Sequence, residues 1–284
     1  MKRLKIGGVP EHFNLPWRLA IEEGKFKAAG IELHWSDMTG GTGQMIKGLQ
    51  AGTLDIAVLL TEGITRAILK GLDAKIIAVY VKTPLIWGVH VPINQGINQL
   101  DDLDASTFAI SREGSGSHLM SYVLAKQRGW DPTALSFNVV GDVYGGLWAL
   151  NNDEAQGFLW EKYTTQPFVD QGKCKRIGEV LTPWPCFVIA VRTEILQHEA
   201  ALLQAILPII QKRAQELKNS EDAAEVLAWR YALKKDEVMS WLSKTEWSDQ
   251  LDVDQKDIQH VVETLHELNL VTDEEQTNWS EKVL

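Results

Sequence analysis

The chain has 284 residues, enough for one large domain or two with their own cores, and its 45% hydrophobic share excludes a disordered polymer. The formal net charge of −10 argues against a nucleic-acid partner. Two cysteines, Cys174 and Cys186, are too few for a disulfide framework and stand at no metal-ligand spacing, so neither a metal nor a cofactor is expected.

No apolar run reaches the ~18 residues of a membrane span, so no direct membrane insertion is expected. The opening MKRLKIGGVPEHF lacks the apolar stretch of a signal peptide before Glu11 and His12 interrupt it. The expected localisation is cytoplasmic if Met1 is the native start, and periplasmic or extracellular if the chain is a trimmed mature form.

Strand and helix patterns alternate from the start. Leu4–Gly8 reads as a strand and Leu15–Glu23 as a helix stopped by Gly24, and Ile31, Leu33 and Trp35 alternate as in a half-buried strand. A helix over 43–51, the apolar strand LDIAVLL, a helix over 63–70 and the strand KIIAVYV follow. A second series begins after Pro92: strands at 107–110, 136–140, 155–160 and 174–181, with helices at 117–128, 144–150 and 162–169 between them. Cys186–Val191 reads as one more buried strand. Such alternation predicts parallel sheets covered by helices.

The loop SREGSGSH, residues 111–118, lies between a short buried strand and a helix that Gly129 ends as a C-cap. The start of a helix offers N–H groups that its own ladder leaves unpaired. This loop is therefore either a ligand cradle or an ordinary strand-to-helix connection.

From Glu194 onward the pattern is helical only. TEILQHEAALLQAILPIIQKRAQEL is long and amphipathic, with a kink expected at Pro208, and SEDAAEVLAWRYAL starts with a serine cap. Trp229, Trp241 and Trp279 read as core and interface anchors. Two α/β series and two chain crossings, near 88–92 and 185–190, predict two lobes around a cleft. Lobe I would comprise 1–90 and 190–284, and lobe II 91–189. Ligands in such folds bind outside the carboxyl ends of the strands.

PWRLAIEEGKFKAAGIEL, MTGGTGQMIKGLQAGTLDIAVLLTEG, DDLDASTFAISREGSGSHLMSYVLAKQRGWDP and GFLWEKYTTQPFVDQGKCKRIGEV together resemble the type II periplasmic-binding proteins. The closest resemblance is to the alkanesulfonate-, nitrate- and taurine-binding group and its thiamine-pyrimidine-synthase-like relatives. The likeness runs over roughly residues 4–192. It implies an α/β, two-lobed Venus-flytrap fold with C-terminal helices that closes on a small solute, with an ABC permease as a partner in transport. The pyrimidine synthases of this superfamily use a histidine and a cysteine-rich motif; here TPWPCFVIAV has Cys186 alone, and TEGITRAI offers neither lysine nor histidine.

The candidate ligand-binding residues fall at the expected strand ends. Gly40, Gly41 and Thr42 either present backbone N–H groups or make a tight turn. Thr61 and Glu62 follow a fully apolar strand. Ser111, Ser115, Gly116, Ser117 and His118 form the serine-glycine loop. Trp87, Trp148, Trp160 and Trp184 suit a flat ligand or, equally, a lobe core, and Glu161 could pair a ligand amine. His12 and Phe13 could flank the first helix. Cys186 reads as a small buried hydrophobe.

No Ser-His-Asp order or paired acids indicate a catalytic centre. The expected function is that of a monomeric substrate-binding protein, not an enzyme. The alternatives are an enzyme of thiamine-pyrimidine biosynthesis and a cytoplasmic ligand sensor without transport. Two carboxylates and four tryptophans at the expected site favour an aminopyrimidine or thiamine-precursor-like solute over a sulfonate or nitrate.

Overall fold

The structure is a computed structural model that describes residues 2–250 and 252–284. The chain divides into two compact units, Met1–Pro84 with Trp184–Leu284, and Leu85–Pro183. The divisions therefore fall earlier than the expected 90/91 and 189/190. At the first, a strand occupies Ile86–Val91, where a chain crossing was expected.

The first unit opens with β1 (Lys2–Gly8), α1 (Leu15–Glu22), α2 (Lys25–Ala28), β2 (Ile31–Asp37), α3 (Gly41–Gln50), β3 (Ile56–Leu60), α4 (Thr61–Leu69) and β4 (Ala74–Val81). The second holds β5 (Ile86–Val91), β6 (Thr107–Ile110), α5 (Gly116–Arg128), β7 (Ser136–Val139), α6 (Val143–Asn151), β8 (Gly157–Glu161), α7 (Lys162–Asp170) and β9 (Lys175–Leu181). The chain returns to the first unit with β10 (Phe187–Arg192) and the helices α8 (Thr193–Lys218), α9 (Ala223–Tyr231), α10 (Lys235–Lys244), α11 (Gln255–Glu267), α12 (Asp273–Thr277) and α13 (Trp279–Val283).

The two sheets have one plan. Their strand orders are β2-β1-β3-β10-β4 and β7-β6-β8-β5-β9. In each, the first strand pairs in parallel with the second and third, and an antiparallel strand separates the third from the fourth. That inserted strand is the first one after a crossing: β5 after Pro84 and β10 after Pro183. The sheets are thus mixed, whereas strand–helix alternation had predicted parallel ones. A strand that enters from the other unit is not bound by the right-handed crossover that keeps successive β–α–β strands parallel.

One local device recurs. Asp55, just before β3, donates its N–H to the Lys5 carbonyl at 2.8 Å, and its Oδ2 accepts from Lys5 N–H at 2.9 Å. Gln156, just before β8, does the same with Thr107, at 2.8 Å to the carbonyl and 3.1 Å from the N–H. Each central strand is thereby locked to the first strand at its start. β3 then carries Ile56, Ala57, Val58 and Leu59, all with no exposed surface. Each large aliphatic side chain so buried stabilises by roughly 1.5–3 kcal/mol.

β5 lies in TPLIWGVHVP, between Pro84 and Pro92, where its prolines and Gly88 read as loop punctuation. Gly88 is required by packing: a Cβ there would stand 2.7 Å from His90 Cε1 and 2.8 Å from Arg176 Cδ. In α8 the helical backbone breaks at Glu199 (φ −129°, ψ 22°), ahead of the expected kink at Pro208. The N-cap of α9 is Asp222 rather than the expected serine. Trp241 is core, but Trp229 is 83% exposed and anchors no core.

Candidate functional site

The candidate residues are described unit by unit. In the first, α3 begins at Gly41, whose φ of +63° is the left-handed turn that glycine permits, and Gly40 N–H donates to Gln44 Oε1 at 2.8 Å. Thr42 is buried, and its Oγ1 accepts from Leu60 N–H at 3.3 Å. Its methyl group lies against Gly63, where a Cβ would come within 2.5 Å. Thr42 therefore joins α3 to the start of α4 by packing.

Thr61 has no exposed surface, and its Oγ1 donates to the Pro185 carbonyl. Glu62, in the first turn of α4, is 2% exposed and accepts from Trp184 Nε1 at 3.0 Å. Trp184 is itself buried, edge-on to His260. These contacts tie the returning chain to α4, and burial removes Trp184 as an open stacking platform. His12 is likewise a core residue, 4.3 Å centroid to centroid from Trp241, and burial pushes its pKa down to about 3. It stays neutral at physiological pH.

In the second unit the serine-glycine loop closes on itself. Ser117 Oγ accepts from Ser111 N–H at 3.0 Å and lies 3.0 Å from Ser115 Oγ, while Ser115 caps α5 by accepting from His118 N–H. His118 Nδ1 accepts from Gly114 N–H at 2.9 Å, and its ring packs edge-on against Phe137. Ser115, Ser117 and His118 are all buried. Their hydroxyl and imidazole groups shape the loop. The N–H groups of Gly116 and Ser117 belong to the first turn of α5, which the helix ladder does not pair.

Trp87 is in β5 rather than in a loop, buried and in register with Glu161. Glu161 ends β8 and caps α7, accepting from Thr164 N–H at 2.6 Å. Its burial raises the carboxyl pKa above the ordinary value, against the hydrogen bonds that lower it. Trp160 is half-buried against the core around Phe158. Trp148 stands apart on α6, 55% exposed. The structure thus gathers the serines with His118, Glu62 with Trp184, and Glu161 with Trp87, and leaves Trp148 alone.

Cys174 and Cys186 are buried, and burial pushes the Cys174 thiol up to about 11. Among the described residues no cluster of three or more His, Cys, Asp or Glu side chains is placed to hold a metal, and no helix is long and apolar enough to cross a membrane.

Sequence reasoning missed one group in the first unit. A cavity of about 220 Å³ is lined by Val9, Pro10, Asn14, Arg18, Trp35, Asp37, Arg230 and Tyr231. LPWR and LHWSD had been read only as helix and strand, because no spacing links residues that meet across a sheet edge.

Two mixed sheets of order second-first-third-inserted-fourth, with helix starts at the carboxyl ends of their parallel strands, make the α/β fold of the type II periplasmic-binding proteins. A family described as Ca3427-like PBP matches residues 87–180, within the second unit. The Candida albicans CA3427 gene product, which exhibits the generic periplasmic-binding-protein fold, is 25% identical, with 100% of this chain and 96% of that one covered and a TM-score of 0.91. The alkanesulfonate-binding protein SsuA from Xanthomonas axonopodis pv. citri, bound to MOPS, is 14% identical, with 99% and 98% covered and a TM-score of 0.81. The periplasmic nitrate-binding protein NrtA from Synechocystis PCC 6803 is 13% identical, with 98% and 85% covered and a TM-score of 0.75. No curated protein matches the chain.

Proposed function

We propose that this is a solute-binding protein, not an enzyme, and that it takes a small flat polar solute at the carboxyl ends of its parallel strands. The fold supports the binding role, since sulfonate- and nitrate-binding proteins share it. In an uptake system such a protein would deliver its solute to an ABC permease.

The observation that carries the solute class is found in each unit separately: of two helix starts, one carries a buried acid and the other none. α4 has Glu62 in its first turn, and α7 is capped by Glu161, both buried. An acid already occupies each of these electropositive ends, where a second anion would be repelled. α3 and α5 have no acid in the first turn and remain suited to an oxygen acceptor. A solute with a hydrogen-bond donor and an oxygen acceptor fits this pattern better than bare nitrate or an alkanesulfonate. An aminopyrimidine-like, thiamine-precursor-like molecule is the leading candidate.

Native mass spectrometry of freshly purified protein tests for a retained solute. Isothermal titration against aminopyrimidines, alkanesulfonates and nitrate then tests its class. Tight alkanesulfonate or nitrate binding with no pyrimidine response would overturn the solute class.

A further inference from the structure

The cavity in the first unit is built by residues that the candidate list did not contain. At Gly8, the last residue of β1, a Cβ would stand 2.4 Å from Trp35 Cη2 and 2.9 Å from Asn14 Nδ2. The bare backbone there lets both side chains close over the strand end. Asp37 Oδ1 then fixes two walls at once, accepting from Trp35 Nε1 at 2.8 Å and from Arg18 Nη1 at 3.0 Å. The Arg18 guanidinium lies 5.9 Å from the Trp35 ring centroid. Arg230 is held by Glu22. Burial pushes the Tyr231 hydroxyl up to about 12, so it stays protonated and able to donate at neutral pH.

Asn14 is the informative member. It lines the cavity, is 1% exposed, and donates Nδ2 to the Val9 carbonyl at 2.9 Å. That bond fixes which way the amide faces. Oδ1 is then left with no hydrogen-bond partner among the described residues. Buried acceptors are nearly always paired; Oδ1 has almost no accessible surface here, so a donor from outside reaches it once the cavity walls open slightly to admit it. Beside it, Arg18 has N–H groups beyond the one used on Asp37.

We propose that this cavity is a binding site for a flat solute with a carboxamide-type edge. Asn14 Oδ1 accepts from the solute N–H, and Arg18 or Tyr231 donates to the adjacent carbonyl oxygen or ring nitrogen. The indole of Trp35 supplies the apolar wall. At about 220 Å³ the cavity is smaller than the ~300–1,000 Å³ of pockets for drug-sized ligands, which limits the solute to fragment size. The assignment rests on the solute-binding reading and names one place where the solute would be read.

The probes are benzamide and N,N-dimethylbenzamide, titrated into the full chain by isothermal calorimetry and ligand-observed NMR. Benzamide has the N–H donors, and its dimethyl counterpart keeps the ring and carbonyl without them. The expected result is saturable benzamide binding, weakened about tenfold or more by dimethylation and again by Arg18→Gln, with unchanged circular dichroism in the variant. Asn14→Leu should abolish the discrimination between the two probes; if that variant does not fold, Arg18→Gln carries the test. Equal binding of both probes, unchanged affinity in Arg18→Gln, or no benzamide binding overturns the assignment. A solute retained in native mass spectrometry and held as tightly by Arg18→Gln would overturn this site alone and leave the solute-binding reading standing. If no solute is retained and no candidate class binds, that broader reading fails instead.

Discussion

Glu161 separates a carboxylate that supports a helix from one that waits for a ligand amine. Its side chain caps α7 at 2.6 Å from Thr164 N and is buried. Glu161→Gln keeps an oxygen acceptor for that N–H and removes the charge. Glu161→Ala removes both, and the loss of a cap costs about 1 kcal/mol, within a range of ~0.5–2. For a domain of about 100 residues that is a fall of roughly 4–8 °C per kcal/mol in melting temperature. The pH dependence follows from the raised pKa. Between the unfolded value near 4.5 and the higher folded one, the folded chain keeps a proton that the unfolded chain has released. The contribution of Glu161 to stability is therefore fully present below the unfolded pKa and is lost as pH rises through the folded pKa. The Gln variant has no such loss, so it should match the wild type near pH 4 and exceed it at pH 7–8. Thermal melts of the three proteins from pH 4 to pH 8 provide the comparison. If Gln is as damaging as Ala, or if its difference from wild type does not change with pH, the cap-and-burial account of Glu161 is wrong.

Two further substitutions test the other structural assignments. Trp184→Phe keeps most of the ring but leaves Glu62 without the 3.0 Å indole donor; a hydrogen bond to a charged group is worth about 1.5–3 kcal/mol, so calorimetry should show a clear fall in melting temperature. An unchanged melt would return Trp184 to the pool of ligand-stacking aromatics. Ser117→Ala removes the acceptor of Ser111 N–H and the neighbour of Ser115 Oγ, and should cost about 1–3 kcal/mol while speeding amide exchange at Ser111. Exchange as slow as in the wild type would mean that the loop is held by other contacts.

The sequence made the positions of many elements legible and left their roles less so. β6 falls on 107–110 as its apolar run predicts, and Gly129 ends α5 in the left-handed conformation expected of a C-cap. The serine loop also stands where the strand and helix patterns put it. Its hydroxyls, however, turn inward, because side-chain direction in a loop depends on rotamers and partners that periodicity does not encode. β5 was hidden because Pro84, Gly88 and Pro92 are turn signals, while the reason for Gly88 is the space taken by His90 and Arg176. Asn14, Trp35 and Tyr231 were invisible as a group for the same reason: their adjacency comes from packing between distant segments.

The repeated plan explains why a buried acid stands at one helix start in each unit. Asp55 and Gln156 each fix the third strand of a sheet to the first, so the two third strands end at corresponding places in their units. A helix begins directly after each, at Thr61 and Lys162, and a helix start favours an acid in or beside its first turn. Glu62 and Glu161 meet that local demand separately, one with an indole donor and the other with a backbone N–H. Reading Glu161 as the partner of a ligand amine assumed that position at a strand end implies an open carboxylate. The bonds they make remove that assumption, because each carboxylate is already engaged within its own unit.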